Sequence, residues 1–247
     1  MHASLFSDPQ LYDCVFPPGQ HGSFYASEAQ RHGGPVLELG CGTGQLLIPI
    51  AQNGLRIVGL DLSDDMLSAA GARAESLAVA VEFVDGPMQA FDLGERFAYI
   101  FTARNSLLHL HSIDDLLACF SCVRQHLQPG GVFGFDIFNP NVRILASPRE
   151  ERVPVMRIIH PERGEVSIDS TNDYDAATQV NRATWYFSTP DEPDFLAAPL
   201  HLRSIFPQDL LLLLAEGGLR LVTRAGDLSW EPFTSDSRRQ VCVCRSA

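Results

Sequence analysis

The stretch VLELGCGTGQLL, residues 36–47, decides the fold, because an apolar run is followed at once by three glycines at alternate positions and then by a helical pattern. This order is typical of the first strand, turn and helix of a parallel α/β sheet. Gly40, Gly42 and Gly44 let the backbone approach a ligand closely, and the N-terminus of the following helix favours a negatively charged group. The stretch therefore predicts a ligand-binding turn at the end of the first strand.

The same alternation continues beyond this stretch. Strands are predicted over LRIVGLDL (55–62), VEFVD (81–85), FAYIFTA (97–103) and GVFGFDIF (131–138). Helices are predicted over QLLIPIAQN (45–53), after Ser63 as N-cap, around Cys119 and Cys122, and over PQDLLLLLAEGG (207–218).

The pattern changes after Asn139, where strand-like stretches are separated by turn residues, which predicts an antiparallel insertion over residues 141–204. Strands over 219–226 and 240–246 complete the pattern. The predicted fold is α/β: a Rossmann-like, seven-stranded, mostly parallel sheet with helices on both faces and an antiparallel last strand. Residues 1–247 are expected to form a single domain that contains the insertion.

Composition excludes several classes of protein. The chain has 18 basic and 30 acidic residues, a net charge of −12, so a nucleic-acid partner is not expected. It contains no lysine, which excludes a Walker A loop and a Schiff-base lysine. No apolar run approaches the roughly 20 residues of a membrane span, and no secretory signal is visible, so a cytoplasmic location away from membranes is expected. Cys119 and Cys122 are predicted to pack as small hydrophobic residues, and no metal site is predicted.

The spacing of the glycines separates two kinds of ligand. A dinucleotide fingerprint has the form G-x-G-x-x-G, whereas this turn has G-x-G-x-G. Asp61 ends the second predicted strand, where its carboxylate can accept hydrogen bonds from both hydroxyls of an adenosine ribose. A nicotinamide-dependent oxidoreductase also uses a glycine turn and such an acid, so it stays open as an alternative at this point.

Five segments resemble, in order, the motifs of class I S-adenosylmethionine-dependent methyltransferases: VLELGCGTG, VGLDLSDDML, FVDGPMQAFDL, FAYIFTARNSLLHL and HLQPGGVFGFDIFNP. They cover most of residues 36–140. Within the family, YDCVFPPGQHGSFY (12–25) and the antiparallel insertion are most similar to small-molecule methyltransferases, including sugar N-methyltransferases. The resemblance implies S-adenosyl-L-methionine as cofactor and methyl transfer to a small-molecule amine or hydroxyl.

The resemblance also assigns the cofactor contacts. It places Glu38 and the Gly40–Gly44 turn at the methionyl end, Asp61 at the ribose and Leu62 against the adenine. The family often has an acidic residue where this chain has Pro87, so Asp85 is a substitute and the Met88 backbone N–H remains for a ring nitrogen. The full set of implied cofactor-binding residues is Tyr12, Tyr25, Glu38, Gly40, Cys41, Gly42, Gly44, Asp61, Leu62, Met66, Gly86, Pro87, Met88 and Arg104.

Two aromatic residues have two interpretations. Tyr12 and Tyr25 resemble family aromatics that close over the cofactor, and ordinary packing tyrosines would look the same in sequence. The insertion has three interpretations: a lid or pocket over the acceptor, a contact between the subunits of a homodimer, or a second small core.

A proton must leave an amine or hydroxyl acceptor, and a histidine suits that task. His109 and His111 begin just after the fourth predicted strand, and His109 lies where relatives often have a histidine, so His109 is the candidate catalytic base. The alternative is a histidine that packs or faces solvent. Asn105 and Ser106 are expected to line the substrate site. A non-catalytic protein that binds S-adenosylmethionine is the second alternative function, because a fold does not determine a function.

Overall fold

The computed structural model describes residues 4–247, which divide into two compact units. The larger unit comprises Pro18–Asn139 and Ile205–Ala247, and the smaller one comprises residues up to Pro17 together with Pro140–Ser204. Within this described part, no helix is both long and apolar enough to cross a membrane.

The helices, in chain order, are α1 (Pro9–Val15), α2 (Gly19–His32), α3 (Leu47–Gln52), α4 (Asp64–Ser76), α5 (Ile113–His126), α6 (Val142–Leu145) and α7 (Pro207–Glu216). Short 3₁₀ helices span Leu5–Ser7 and Ser106–His109. The strands are β1 (Val36–Leu39), β2 (Ile57–Asp61), β3 (Glu82–Asp85), β4 (Phe97–Thr102), β5 (Leu127–Phe138), β6 (Val153–His160), β7 (Gly164–Thr171), β8 (Tyr174–Asp175), β9 (Val180–Ser188), β10 (Leu196–Arg203), β11 (Leu219–Ala225) and β12 (Arg239–Ser246).

The larger unit contains a seven-stranded sheet in the order β11-β12-β5-β4-β1-β2-β3. Strands β1 to β5 are parallel, whereas β12 pairs antiparallel with both β5 and β11. The strand order reverses between β1 and β4, and in sheets of this kind ligands bind beyond the carboxyl ends of the strands at that point. The predicted Rossmann-like α/β fold is confirmed.

The central parallel strands are buried. Val36, Leu37 and Leu39 of β1 are fully buried, as are Ile100 and Phe101 of the neighbouring β4. Such continuous apolar runs are typical of strands that are covered on both faces. Two polar residues of the site, Glu38 and Asp61, lie near the carboxyl ends of β1 and β2.

Several predicted helix ends agree with the structure. Ser63 caps α4 by accepting a hydrogen bond from the Met66 N–H, with Asp64 and Asp65 in the first turn. Gly54 has a φ of +86° just after α3, and Gly218 has a φ of +73° just after α7.

Other boundaries differ from the prediction. Pro49 predicts that the first helical residue lies near Leu46, and helix α3 begins at Leu47, so Pro49 is its third residue, where no intrahelical donor is lost. Strand β5 begins at Leu127 rather than at Gly131, with a register shift against β4 at Phe97. The insertion was predicted to contain no helix, which is wrong, because the short helix α6 is capped by the side chain of Asn141.

The smaller unit contains an antiparallel sheet in the order β10-β9-β7-β6, and β8 pairs with β9. This confirms the antiparallel strands of the insertion. Its buried core contains residues from α1 and from three of these strands: Leu5, Leu11, Val15, Val166, Ile168, Phe187 and Ala198. Helix α1, which was not predicted, therefore packs with the insertion as one unit.

Candidate functional site

The glycine turn lies tightly against the end of β2. The backbone N–H groups of Gly40 and Cys41 both donate to the Leu60 carbonyl oxygen, at 2.7 and 3.0 Å. Gly40, Gly42 and Gly44 all have positive φ, at +71°, +52° and +76°. Residues other than glycine rarely adopt positive φ, so the three glycines allow the backbone to form this turn.

Asp61 joins this turn to α4. Its Oδ2 atom accepts a hydrogen bond from the Gly42 N–H at 2.7 Å, and its Oδ1 atom accepts one from the Ser63 N–H at 2.9 Å. A carboxylate oxygen has two lone pairs, so each oxygen keeps capacity for a further donor. Asp61 therefore stands at the predicted ribose position with acceptor capacity remaining.

Glu38 is buried beside the turn, with 2% of its surface exposed. Burial raises the pKa of its carboxyl well above the ordinary value, against the opposing effect of Arg104, while Asp61 raises it further. One oxygen accepts a hydrogen bond from the Leu47 N–H at the start of α3. The Oε2 atom has no hydrogen-bond partner among residues 4–247, so this buried acceptor lacks a donor.

The chain adopts a constrained conformation after β4. Arg104 and Asn105 both have positive φ, at +55° and +67°. The Asn105 Oδ1 atom accepts a hydrogen bond from the Phe138 N–H at 2.7 Å, and the Arg104 guanidinium donates to Gln45 Oε1 at 3.1 Å. Two consecutive non-glycine residues with positive φ cost conformational free energy, and such backbone strain concentrates at functional sites.

The turn and the end of β4 are in close contact. A Cβ atom added at Gly40 would lie 3.0 Å from the Ser106 Cβ and 3.6 Å from the Met88 Cε. Ser106 is held in place, since its hydroxyl donates to the Ala103 carbonyl oxygen at 2.8 Å. Three residues that were predicted separately, Gly40, Met88 and Ser106, are therefore brought together.

The predicted adenine contacts have different exposures. Leu62 is 70% exposed, so its side chain is accessible to a ligand. Gly86 donates its N–H to the Asp61 carbonyl oxygen at 3.0 Å, which holds the following Pro87 and Met88 beside β2. Met66 is 1% exposed and packs in the core, so a direct contact between its side chain and the cofactor stays a prediction.

The two candidate tyrosines lie in different units. Tyr25 is fully buried in the larger unit, where its ring stacks on Phe101 with centroids 4.6 Å apart. This environment matches the packing interpretation of Tyr25. Tyr12 belongs to the smaller unit and packs against Phe16, with centroids 5.0 Å apart.

His109 ends the 3₁₀ helix that follows β4. Burial, with a smaller effect from His111, lowers its pKa from 6.5 to about 4. The imidazole is therefore neutral at physiological pH and only weakly basic. His111 is exposed.

Sequence reasoning missed the most connected polar residue of this region, Asp136 on β5. Its buried carboxylate accepts hydrogen bonds from the Tyr25 hydroxyl at 2.7 Å and from the Arg104 N–H at 3.0 Å. It also pairs with His21 Nε2 at 3.2 Å and with the Arg239 guanidinium. An acidic residue inside the apolar run GVFGFDIF was the one signal that could have identified it.

The comparisons with known proteins agree with this geometry. Residues 36–131 match the sequence profile of a family described as "Methyltransferase domain". The alignments with the first two curated relatives span 41% and 42% of those proteins' lengths.

Two relatives have informative names. The cypemycin N-terminal methyltransferase of a Streptomyces species is 27% identical, over 96% of this chain and 98% of that protein. A dTDP-3-amino-3,4,6-trideoxy-alpha-D-glucopyranose N,N-dimethyltransferase of Streptomyces venezuelae is 32% identical, over 39% of each chain.

Among solved structures, the CcbJ methyltransferase from Streptomyces caelestis is 27% identical, with a TM-score of 0.78. The superposition covers 93% of this chain and 97% of that one. The similarity therefore extends beyond the residues that match the family profile.

Proposed function

We propose that this chain, whose residues 36–131 match the family described as "Methyltransferase domain", uses S-adenosyl-L-methionine to methylate an amine of a small molecule. The observation that carries the proposal is the arrangement around the glycine turn. Glu38 lies on one side with an acceptor that lacks a donor, and Asp61 lies on the other with acceptor capacity remaining.

The residues present fit this cofactor. The unpartnered Oε2 atom of buried Glu38 suits a cationic donor such as the methionyl ammonium group. Gly40 has no side chain because the Ser106 Cβ would lie 3.0 Å from an added Cβ. The turn therefore packs closely against Ser106, which the sequence places at the substrate site.

Each part of the chain then has a role in holding the cofactor. Glu38 and the Gly40–Gly44 turn hold the methionyl end, Asp61 accepts from the ribose hydroxyls, and exposed Leu62 covers the adenine ring. When bound, S-adenosyl-L-methionine supplies an electrophilic methyl group on a positively charged sulfur. The protein contributes alignment of the acceptor and exclusion of water, which can supply several kcal/mol.

An amine is favoured over a hydroxyl as the acceptor. One relative that aligns over nearly its whole length is named an N-terminal methyltransferase, and another is named an N,N-dimethyltransferase of an amino sugar. The second name specifies a nitrogen acceptor. The proposal for this chain is therefore a small molecule with an accessible amino group.

A panel of acceptors tests this proposal. The protein is incubated with S-adenosyl-L-methionine and one of three probes: a dTDP-amino sugar, a short peptide with a free α-amino group, or a phenol. Mass spectrometry is expected to show a methyl group added to an amine and not to the phenol. The N-acetylated amino sugar and peptide are the matched controls. Methylation of the phenol alone would overturn the amine assignment.

The rival cofactor is tested by titration. Calorimetry is expected to show binding of S-adenosylhomocysteine and none of NADH. Tight NADH binding without heat from S-adenosylhomocysteine would instead support an oxidoreductase.

We also propose that the antiparallel insertion contributes to a homodimer. Strand β6 lies at an edge of its sheet, and two of its apolar residues, Val155 and Ile159, are 36% and 73% exposed. Exposed apolar residues on an edge strand favour association with another chain. Light scattering is expected to report a dimer for wild type and a monomer for Ile159→Lys. A monomeric wild type would contradict the homodimer proposal and would favour the interpretation of residues 141–204 as a lid.

A further inference from the structure

A buried carboxylate contacts a histidine at the carboxyl end of strand β5 in the larger sheet. Asp136 lies near the carboxyl end of β5 and is 1% exposed. Burial alone would raise its pKa, but the hydrogen bond from His21, the charge of Arg239 and the Tyr25 hydroxyl together hold the pKa at about 2. Asp136 is therefore an anion at physiological pH.

His21 is the partner of Asp136 that can exchange a proton with solvent or a ligand. It lies in the first turn of α2, and its side chain is 18% exposed. Its Nε2 atom is 3.2 Å from Asp136 Oδ2, whereas its Nδ1 atom has no hydrogen-bond partner in the described part of the chain. A carboxylate on one ring nitrogen holds the proton there and leaves the lone pair on the other nitrogen.

Two other groups face the His21 ring. The Arg239 Nη1 atom is 3.3 Å from Nε2, and because a guanidinium N–H can only donate, this contact favours the tautomer with the proton on Nδ1 and competes with donation from Nε2 to Asp136. The Tyr25 ring is stacked on the imidazole, with ring centroids 6.5 Å apart. Because Arg239 pairs with the same oxygen of Asp136, its charge is largely compensated by that carboxylate.

This pair is connected directly to the predicted site. Asp136 accepts hydrogen bonds from the Arg104 N–H through its side chain and from the Asn105 N–H through its carbonyl oxygen, at 3.0 and 3.2 Å. Arg104 in turn contacts Gln45 next to the glycine turn. His21 and the glycine turn therefore both lie at the carboxyl ends of the parallel strands, where ligands of such folds bind.

We propose that His21, oriented by Asp136, is the catalytic base that takes the proton from the methylated amine. The inference rests on the proposed amine methyltransferase function. A neutral amine becomes an ammonium when it gains a methyl group, and it then carries one proton too many. That proton passes from the nitrogen to His21 Nδ1, and the imidazolium, balanced by Asp136, later returns it to water.

His109 is less suited to this step. It is buried, and its pKa of about 4 means that it holds a proton only in acid. His21 is also the histidine of the two that a buried anion orients.

The tautomer of His21 tests the proposal without any acceptor. Nuclear magnetic resonance of the protein with ¹⁵N-labelled histidine, assigned by comparison with His21→Gln, distinguishes the two neutral forms. We expect the neutral ring to carry its proton on Nε2, and we expect Asp136→Asn to reduce that preference. A neutral ring with its proton on Nδ1 would overturn the proposal, because Nδ1 would then have no lone pair.

Kinetics with the accepted amine give the second test. His21→Gln keeps an N–H donor for Asp136 but cannot take a proton, so we expect kcat to fall about 10²-fold and the dependence of kcat on a basic group to disappear. Affinity for S-adenosylhomocysteine is expected to stay within about threefold of wild type. The neighbouring exposed residue Gln20, changed to Ala, is the matched control and is expected to keep wild-type kcat.

The outcomes separate the two proposals. Wild-type kcat in His21→Gln, or a larger loss in His109→Gln than in His21→Gln, would overturn the role of His21 while leaving the methyltransferase function intact. Failure of wild type to methylate any amine of the panel would overturn the proposed function. In that event the tautomer measurement still decides whether the Nδ1 atom of His21 has a lone pair that can accept a proton.

Discussion

The Oδ2 atom of Asp61 accepts a 2.7 Å hydrogen bond from the backbone N–H of Gly42, so one carboxylate joins the end of β2 to the glycine turn. Its other oxygen accepts from the Ser63 N–H at the N-cap of α4. Asp61 thus has a structural role in addition to its proposed role as the ribose acceptor. Removal of this side chain is expected to affect both the turn and the ligand.

Asp61→Ala is therefore predicted to weaken the binding of S-adenosylhomocysteine by about 2 to 4 kcal/mol, or roughly 30- to 1,000-fold in Kd. Charge-assisted hydrogen bonds are worth roughly 1.5 to 3 kcal/mol each, and replacement water reduces the loss. Calorimetric titration measures the affinity, and circular dichroism checks the fold. Asp65→Ala, which removes an exposed acid on the same segment, is the matched control. Unchanged affinity in Asp61→Ala would show that the ribose is held elsewhere.

Gly40→Ala is predicted to lower both stability and cofactor affinity. Alanine is strained at a φ of +71°, by about 1 to 2 kcal/mol, and its Cβ would lie 3.0 Å from the Ser106 Cβ. Gly54→Ala is the matched control, because Gly54 has a φ of +86° and open space around the added Cβ. Urea unfolding and titration with S-adenosylhomocysteine measure both effects. Equal losses in the two variants would mean that the contact with Ser106 is unimportant.

Glu38 is predicted to make the stability of the ligand-free protein fall as the pH rises. Its folded pKa is well above the ordinary 4.5, so above that pH the folded state holds more protons than the unfolded chain. The slope is at most about 1.4 kcal/mol per pH unit, and it ends once the pH exceeds the raised pKa. Glu38→Gln removes this slope.

The measurement is urea unfolding of wild type and Glu38→Gln between about pH 5 and pH 8. The variant should gain stability relative to wild type as the pH rises. It should also bind S-adenosylhomocysteine more weakly, since a neutral amide pairs less strongly with an ammonium group. A difference in unfolding free energy that does not vary with pH would contradict the buried, proton-holding state of Glu38.

His109 is predicted to have the opposite effect on stability in acid. Its pKa of about 4 in the folded state lies below the ordinary 6.5, so the unfolded chain binds the proton first as the pH falls. The stability associated with the neutral, buried ring is present above pH 6.5 and is lost down to pH 4. The loss is at most about 3 kcal/mol.

The test compares the unfolding free energies of wild type and His109→Asn at about pH 7 and pH 4.5. Wild type should lose more stability than the variant over this interval. His111→Asn, a change at the exposed neighbour, should keep most of the wild-type loss. If wild type and His109→Asn lose the same amount, the His109 ring is more accessible to protons than its burial implies.

The parts of the fold that local patterns encode could be predicted from the sequence. β1, β2 and β4 are continuous apolar runs that end in turn residues, and Ser63 caps α4 by a bond to a residue three positions away. Helix α2 was not predicted, because GQHGSFYASEAQRH is largely polar and its buried residues, such as Phe24 and Tyr25, are few. Its position depends on tertiary packing, since Tyr25 stacks on Phe101 of β4.

Some residues of the candidate site could likewise be predicted from the local sequence, and others could not. The glycine turn, Glu38 and Asp61 lie within one strand-turn-helix-strand segment, so their proximity follows from the local pattern. Asp136 contacts His21 and Arg239, which lie 115 residues before it and 103 residues after it in the sequence. Nothing in the local sequence around any of the three residues indicates this contact, which depends on the order of strands in the sheet.

That order of strands has a consequence for synthesis on the ribosome. β12 lies between β5 and β11, although both of those strands precede it in the chain. Until residues 239–246 have emerged, β5 has an unpaired edge and β11 cannot join the sheet. Such edges promote association between nascent chains, so this protein should depend on chaperones late in translation, and a ribosome stalled before codon 239 should display β5 as an aggregation-prone strand.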